Sequence, residues 1–121
     1  MTTIKFLSND NINSSVVLNT KISDSNVMII LSFNEVSGLV KNKNSWISSL
    51  TVLVNGELVA AEKEYSIFEN ETLKKRFKYS PEKRVIMTDY YDSVKNLFAK
   101  DEENLLKAFE AELLPIAKRF I

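Results

Sequence analysis

The chain divides near residue 68 into a strand-like front and a helix-like back, and this division does most to limit the folds open to it. In front, residues 3–7, 15–19 and 27–33 are runs rich in β-branched and aromatic residues. Asn9-Asp10-Asn11 and Ser23-Asp24-Ser25-Asn26 separate them, and such short polar side chains bond the local backbone and turn it. Val27-Met28-Ile29-Ile30-Leu31 is apolar on both faces, which predicts a central strand covered on both sides. In the next run Trp46, Leu50, Val52 and Val54 share one face and Ser49 and Thr51 the other, the pattern of a half-buried strand.

Asn55-Gly56 predicts a type I′ hairpin, because both central residues of that turn need positive φ. Residues 57–61 are therefore expected to return antiparallel. Leu58, Ala61, Tyr65 and Phe68 also fit a helical period, but the turn signal is more specific and favours the strand. A further short strand is expected at residues 84–88.

Behind residue 68, Asp89 is expected to cap a helix whose inner face is Tyr90 or Tyr91, Val94, Leu97 and Phe98. Asp101 is expected to cap another, with Glu102 and Glu103 at its start and Lys118 and Arg119 at its end, matching the helix dipole. Its buried stripe is expected to be Leu106, Phe109, Leu113, Ile116 and Phe120. Pro115 lacks an N–H and crowds the preceding turn, which predicts a kink or break near Ala111. The expected architecture is one α+β domain over residues 1–121. An antiparallel sheet of about five strands fills the N-terminal half, and two or three C-terminal helices pack on it.

The 121 residues include no histidine and no cysteine. That removes the neutral-pH proton shuttle, the thiolate nucleophile and the best transition-metal ligands together. Gly38 and Gly56, the only glycines, are too far apart to build a phosphate-cradling loop. Asp89 and Asp92 read as a helix-capping pair rather than a cation site, and Asp101-Glu102-Glu103 as a helix start. A non-enzyme without cofactor or metal is expected. No secretory pattern is read at the start and no apolar run would span a bilayer, so the cytoplasm is the expected compartment. Thirteen Lys against three Arg, with twelve Asn and ten Ile, is the bias of AT-rich coding and suits a phage or mobile-element origin.

Charge sums to zero, from 16 basic and 16 acidic residues, so whole-surface attraction to nucleic acid or membrane is not expected. The distribution is uneven. Glu62, Glu64, Glu69 and Glu71 face only Lys63 between residues 61 and 73. Residues 74–84 then carry a net charge of +5, with Phe77 and Tyr79 interleaved. The favoured reading is a surface that docks an acidic protein through Lys74, Lys75, Arg76, Lys78, Tyr79, Lys83 and Arg84, acting by occlusion as an inhibitor, accessory or assembly factor. Trp46 and Tyr90 or Tyr91 would be aromatic anchors beside it if they were not core. The second reading is a single-stranded nucleic-acid groove, in which cations track phosphates and rings stack on bases. A solvated helix face is the plainer account, with Glu71 and Lys75 paired at i,i+4 for about 0.2–0.5 kcal/mol. A third reading is a homodimer or larger homo-oligomer, signalled by an exposed apolar edge strand or by Leu105 and Leu114 lying off the last helix's main stripe.

Overall fold

The computed structural model describes residues 1–8, 14–36, 43–65, 68–89 and 93–121. In chain order the elements are β1 (Thr3–Ser8), β2 (Ser14–Ile22), β3 (Ser25–Val36), β4 (Lys43–Val54), β5 (Glu57–Glu62), α1 (Glu71–Arg76), β6 (Tyr79–Ser80), β7 (Val85–Asp89) and α2 (Val94–Lys118). The seven strands form one antiparallel sheet of order β1-β2-β3-β4-β7-β6, with β5 also paired to β4. This is the expected α+β class: the strand expected at residues 84–88 joins the sheet as β7, and only the two-residue β6 was not anticipated.

The sheet forks at β4. One side of β4 pairs with β3 along residues 45–54, while its other side is divided. Residues 43–46 of β4 take β7, and residues 50–54 take β5. Tyr65 bridges the gap: its N–H donates to the Ser48 carbonyl at 2.6 Å and its carbonyl accepts from Ser48 Oγ at 2.8 Å. Residues 58–62 therefore belong to a strand. Pairing with β4 outweighs the helical spacing of Leu58 and Ala61, both of which are exposed.

Two hairpin tips carry the positive φ values that primed turns demand. Asn55 and Gly56 have φ of 51° and 82°, as expected, and Ser23 and Asp24 reach 48° and 66° without glycine. The tips are tied together. Asn26 N–H donates to Asn55 Oδ1 at 2.9 Å, and Asn55 N–H donates to the Asn26 carbonyl at 2.8 Å.

Period-two burial gives the sheet an inner face of Val16, Leu18, Val27, Ile29, Leu31, Phe33, Trp46, Leu50, Val52 and Ile86. On β3 the opposite face is only half-buried at Met28 and Ile30, so the expected cover on both sides is not found among the described residues. Those side chains instead shelter across neighbouring strands, in the rows Val17–Ile30–Thr51 and Asn19–Met28–Leu53.

α2 lies over the inner face. Its backbone breaks at Asp101 (φ −160°, ψ 51°), the residue expected to begin a helix, and Asp101 Oδ1 accepts from Asn104 Nδ2 at 3.0 Å. The start of α2 corrects the sequence reading. Asp89 ends β7, and Ser93 caps the helix by accepting from Asn96 N–H at 3.2 Å. Tyr90, Tyr91, Asp92, Gly38 and the turn at Asn9-Asp10-Asn11 lie outside the described residues. Near Ala111 no break occurs, for the helix continues through Pro115. Ala111 and Pro115 are both exposed, so solvent can take the place of the missing donor. Beyond Asp101 the stripe keeps its expected middle and differs at its ends. Leu105, expected off the stripe, is fully buried with Phe109, Leu113 and Ile116, whereas Leu106 is half-buried and Phe120 exposed.

The Asn55 clasp separates backbone from side-chain effects. Asn55→Gly keeps the left-handed conformation and loses one hydrogen bond, an expected cost of about 0.5–1.5 kcal/mol by urea unfolding. Asn55→Ala should lose about 1–2 kcal/mol more, because alanine pays the full left-handed penalty. Equal losses would contradict this division.

Candidate functional site

The basic segment folds as α1, a capped turn, the two-residue strand β6 and the loop into β7. Asn70 starts α1, its Oδ1 accepting from Thr72 N–H at 3.0 Å and Leu73 N–H at 3.2 Å. Phe77 caps the other end with its N–H on the Leu73 carbonyl. Lys78 and Arg84 adopt positive φ of 48° and 55°, one just before β6 and the other at the end of the β6–β7 loop.

The two rings of this segment serve the core. Phe77 has no exposed surface, stacks on Phe33 at 6.0 Å and meets Phe109 edge-on at 5.5 Å. Tyr79 is half-buried and edge-on to Phe68 at 5.2 Å. Burial raises the Tyr79 hydroxyl above the ordinary tyrosine value, with the Arg84 charge opposing. Trp46, the alternative aromatic anchor, is 3% exposed and donates from Nε1 to Thr88 Oγ1 at 3.3 Å, which makes it core.

Three cations of the segment pair locally. Lys74 reaches Glu71 at 3.7 Å, Arg76 reaches Asp101 at 3.5 Å and Lys78 reaches Asp89 at 3.6 Å. Glu71 thus takes Lys74 rather than the expected Lys75, three residues along a helix that ends two residues later. Such exposed pairs add little stability, but they answer positive charge within the chain. Lys75, Lys83 and Arg84 stand exposed. The segment therefore presents a narrower cationic surface than its sequence suggests.

A second polar feature lies beside it and was not singled out from the sequence. Glu112 of α2 is 8% exposed, and its carboxylate accepts the Glu69 N–H at 2.5 and 3.3 Å, with the Asn70 N–H also donating to it. The carboxylate clasps the linker immediately before α1. Together with Tyr65, Glu69, Asn70, Pro115 and Arg119 it borders a groove of about 280 Å³. Burial raises the Glu112 carboxyl above the ordinary glutamate value, and the two backbone donors pull it partly back. Burial also raises Tyr65, reinforced by the charges of Glu112, Glu69 and Glu62. Glu112 was legible in principle, because Leu105, Phe109, Glu112 and Ile116 follow one helical stripe and place a carboxylate in an apolar row.

With its carboxylate committed to main-chain donors, Glu112 is built to hold the linker. Among the described residues no three acidic side chains gather into a set able to hold a metal ion, and no helix is long and apolar enough to cross a membrane.

Glu112 should leave a pH signature. Its native value lies above the unfolded one, so the folded state binds the proton more tightly. The resulting stability is complete below the ordinary glutamate value of 4.5 and is lost as pH rises through the elevated native value. Unfolding free energy of the wild type relative to Glu112→Gln should therefore fall as pH rises from about 4 to 7. A difference that is flat or rises over that range would contradict the burial of this carboxyl. Set against known protein families, curated proteins and solved structures, the chain matches none of them.

Proposed function

We propose that the chain is a non-enzymatic protein-binding module that occludes an acidic partner surface with the α1 and β6–β7 end of its sheet. The contact cations are Lys75, Lys83 and Arg84, with Lys74, Arg76 and Lys78 able to exchange their local carboxylates for those of the partner. A small regulatory protein, inhibitor or assembly factor works in this way, steered by complementary charge rather than by a large net charge.

One observation carries the choice over single-stranded nucleic acid. Phe77 is sealed in the core and Tyr79 is packed against Phe68, so the rings that would stack on bases are already engaged. What remains at the surface is point charge, mostly lysine, which suits carboxylates without selecting a base. The missing imidazole and thiol support a role in contact rather than in chemistry.

Arg84→Gly offers a clean test, since glycine accepts the positive φ at this position without strain. Combined with Lys75→Gln and Lys83→Gln, which remove charge without setting an acid against Glu71 or the end of α1, it should leave the unfolding midpoint nearly unchanged. Capture of the partner from the native host should be lost. Fluorescence anisotropy with labelled single-stranded oligonucleotides at low salt should show no binding by the wild type. Undiminished capture by the triple variant would remove the assignment. Oligonucleotide binding that falls log-linearly with salt would favour the nucleic-acid reading.

A further inference from the structure

β5 turns an acid toward the inner side of the sheet. Its pairing sets Ala60 opposite Val52 and Glu62 opposite Leu50, so all four share the face that α2 covers. Ala60 fills little of the space between β5 and the end of α2. A slot of about 140 Å³ remains there, bordered by Leu50, Ala60, Glu62, Tyr65, Ile116 and Arg119. Leu50 and Ile116 are buried and form its apolar floor. Glu62 and Arg119 are exposed and therefore stand at its mouth.

These two opposite charges are unspent. Neither forms an ion pair with a described residue, including each other. Both lie close enough to act on the Tyr65 hydroxyl: burial raises it, Glu62 raises it further and Arg119 lowers it. The main chain of Tyr65 is tied to Ser48, whereas its hydroxyl forms no hydrogen bond with a described residue. An acid, a base and a hydroxyl thus converge on one apolar slot with their bonding capacity unused. A few convergent polar groups around an apolar hollow are what a small-molecule site requires.

We propose that this slot binds a free α-amino acid with an aliphatic side chain. The Arg119 guanidinium takes the carboxylate, with the Tyr65 hydroxyl as a further donor, and the Glu62 carboxylate takes the ammonium. The side chain lies against Leu50, Ala60 and Ile116. Both charges are met only by a ligand that carries the two groups on one carbon, which a peptide end does not. Tyr65, Ile116 and Arg119 also border the groove of Glu69 and Glu112, and those two carboxylates disfavour an acidic side chain.

The inference goes beyond the docking function and does not rest on it, since none of Lys75, Lys83 and Arg84 borders the slot.

Proton–nitrogen NMR titration with L-leucine at millimolar concentration tests it. Amide shifts at residues 60–62 and 116–120 should saturate. Leucinamide and N-acetyl-leucine each keep one of the two charges and mimic the two ends of a peptide. Each should bind at least about tenfold more weakly than leucine. L-alanine should also bind at least about tenfold more weakly, because each buried methylene is worth about fourfold. Glu62→Gln and Arg119→Gln should each weaken leucine binding by about tenfold while leaving the urea midpoint nearly unchanged, both side chains being exposed and unpaired. A wild type that shows no saturable shift with leucine would overturn the proposal. So would either blocked compound binding as tightly as leucine, for a peptide end would then be the occupant. Leucine binding indifferent to both substitutions would place the ligand elsewhere and overturn it as well.

Discussion

Phe109 is the ring on which the rest of the molecule depends. It touches Phe33 from the sheet, Phe68 from the linker, Phe77 from the end of α1 and Phe98 from the other half of α2, all at 5.5–6.0 Å. Three of the four contacts are edge-to-face, the arrangement that aromatic quadrupoles favour. Each partner comes from a different part of the chain, and no single element can bury its own ring. The sheet needs α2 to cover its inner face, and α2 needs α1 and the linker to close its flank. A domain of this size lacks the surplus core to lose such a hub and stay folded, so the four elements are expected to stand or unfold together.

The functional reading follows from that constraint. Because the cluster claims Phe77 and packs one face of Tyr79 against Phe68, the basic segment reaches the surface chiefly with its cations, Tyr79 being half-buried. Glu112 secures the same region from the side, fixing the linker that delivers α1. The cationic end is therefore preorganised by two independent ties, one apolar and one hydrogen-bonded. Preorganisation of this kind lowers the entropy cost of binding and gives a modest set of point charges more effect.

Strands were the most legible part of the chain, because their signals are local. Alternation around Leu50 and Val52, and the Asn55-Gly56 turn, need no knowledge of distant residues. The strand at residues 84–88 was legible for the same reason. The fork in β4 was not, since it depends on which two distant segments share one edge. Helix phase was misjudged only at the ends of the last stripe: Leu105 and Leu106 both lie within a helical step of Phe109, so the spacing alone did not choose between them, whereas Phe109, Leu113 and Ile116 were placed correctly. Pro115 was over-read: a proline on an exposed face gives up a carbonyl partner to solvent rather than breaking the helix. In the basic segment the positive charge was plain in the sequence. Its local neutralisation was not, because Asp89 and Asp101 arrive from other elements, and neither was the Glu112 clasp, whose partners are main-chain groups more than forty residues away.

The central claim is that the rings of the basic segment hold the fold and leave only charge for recognition. Equilibrium urea unfolding of Phe77→Ala addresses it most directly. A ring buried at the centre of this cluster should cost about 3–5 kcal/mol when truncated. An unfolding midpoint unchanged from the wild type would mean that Phe77 stands in solvent, free to stack on a ligand, and the account would fail at its foundation.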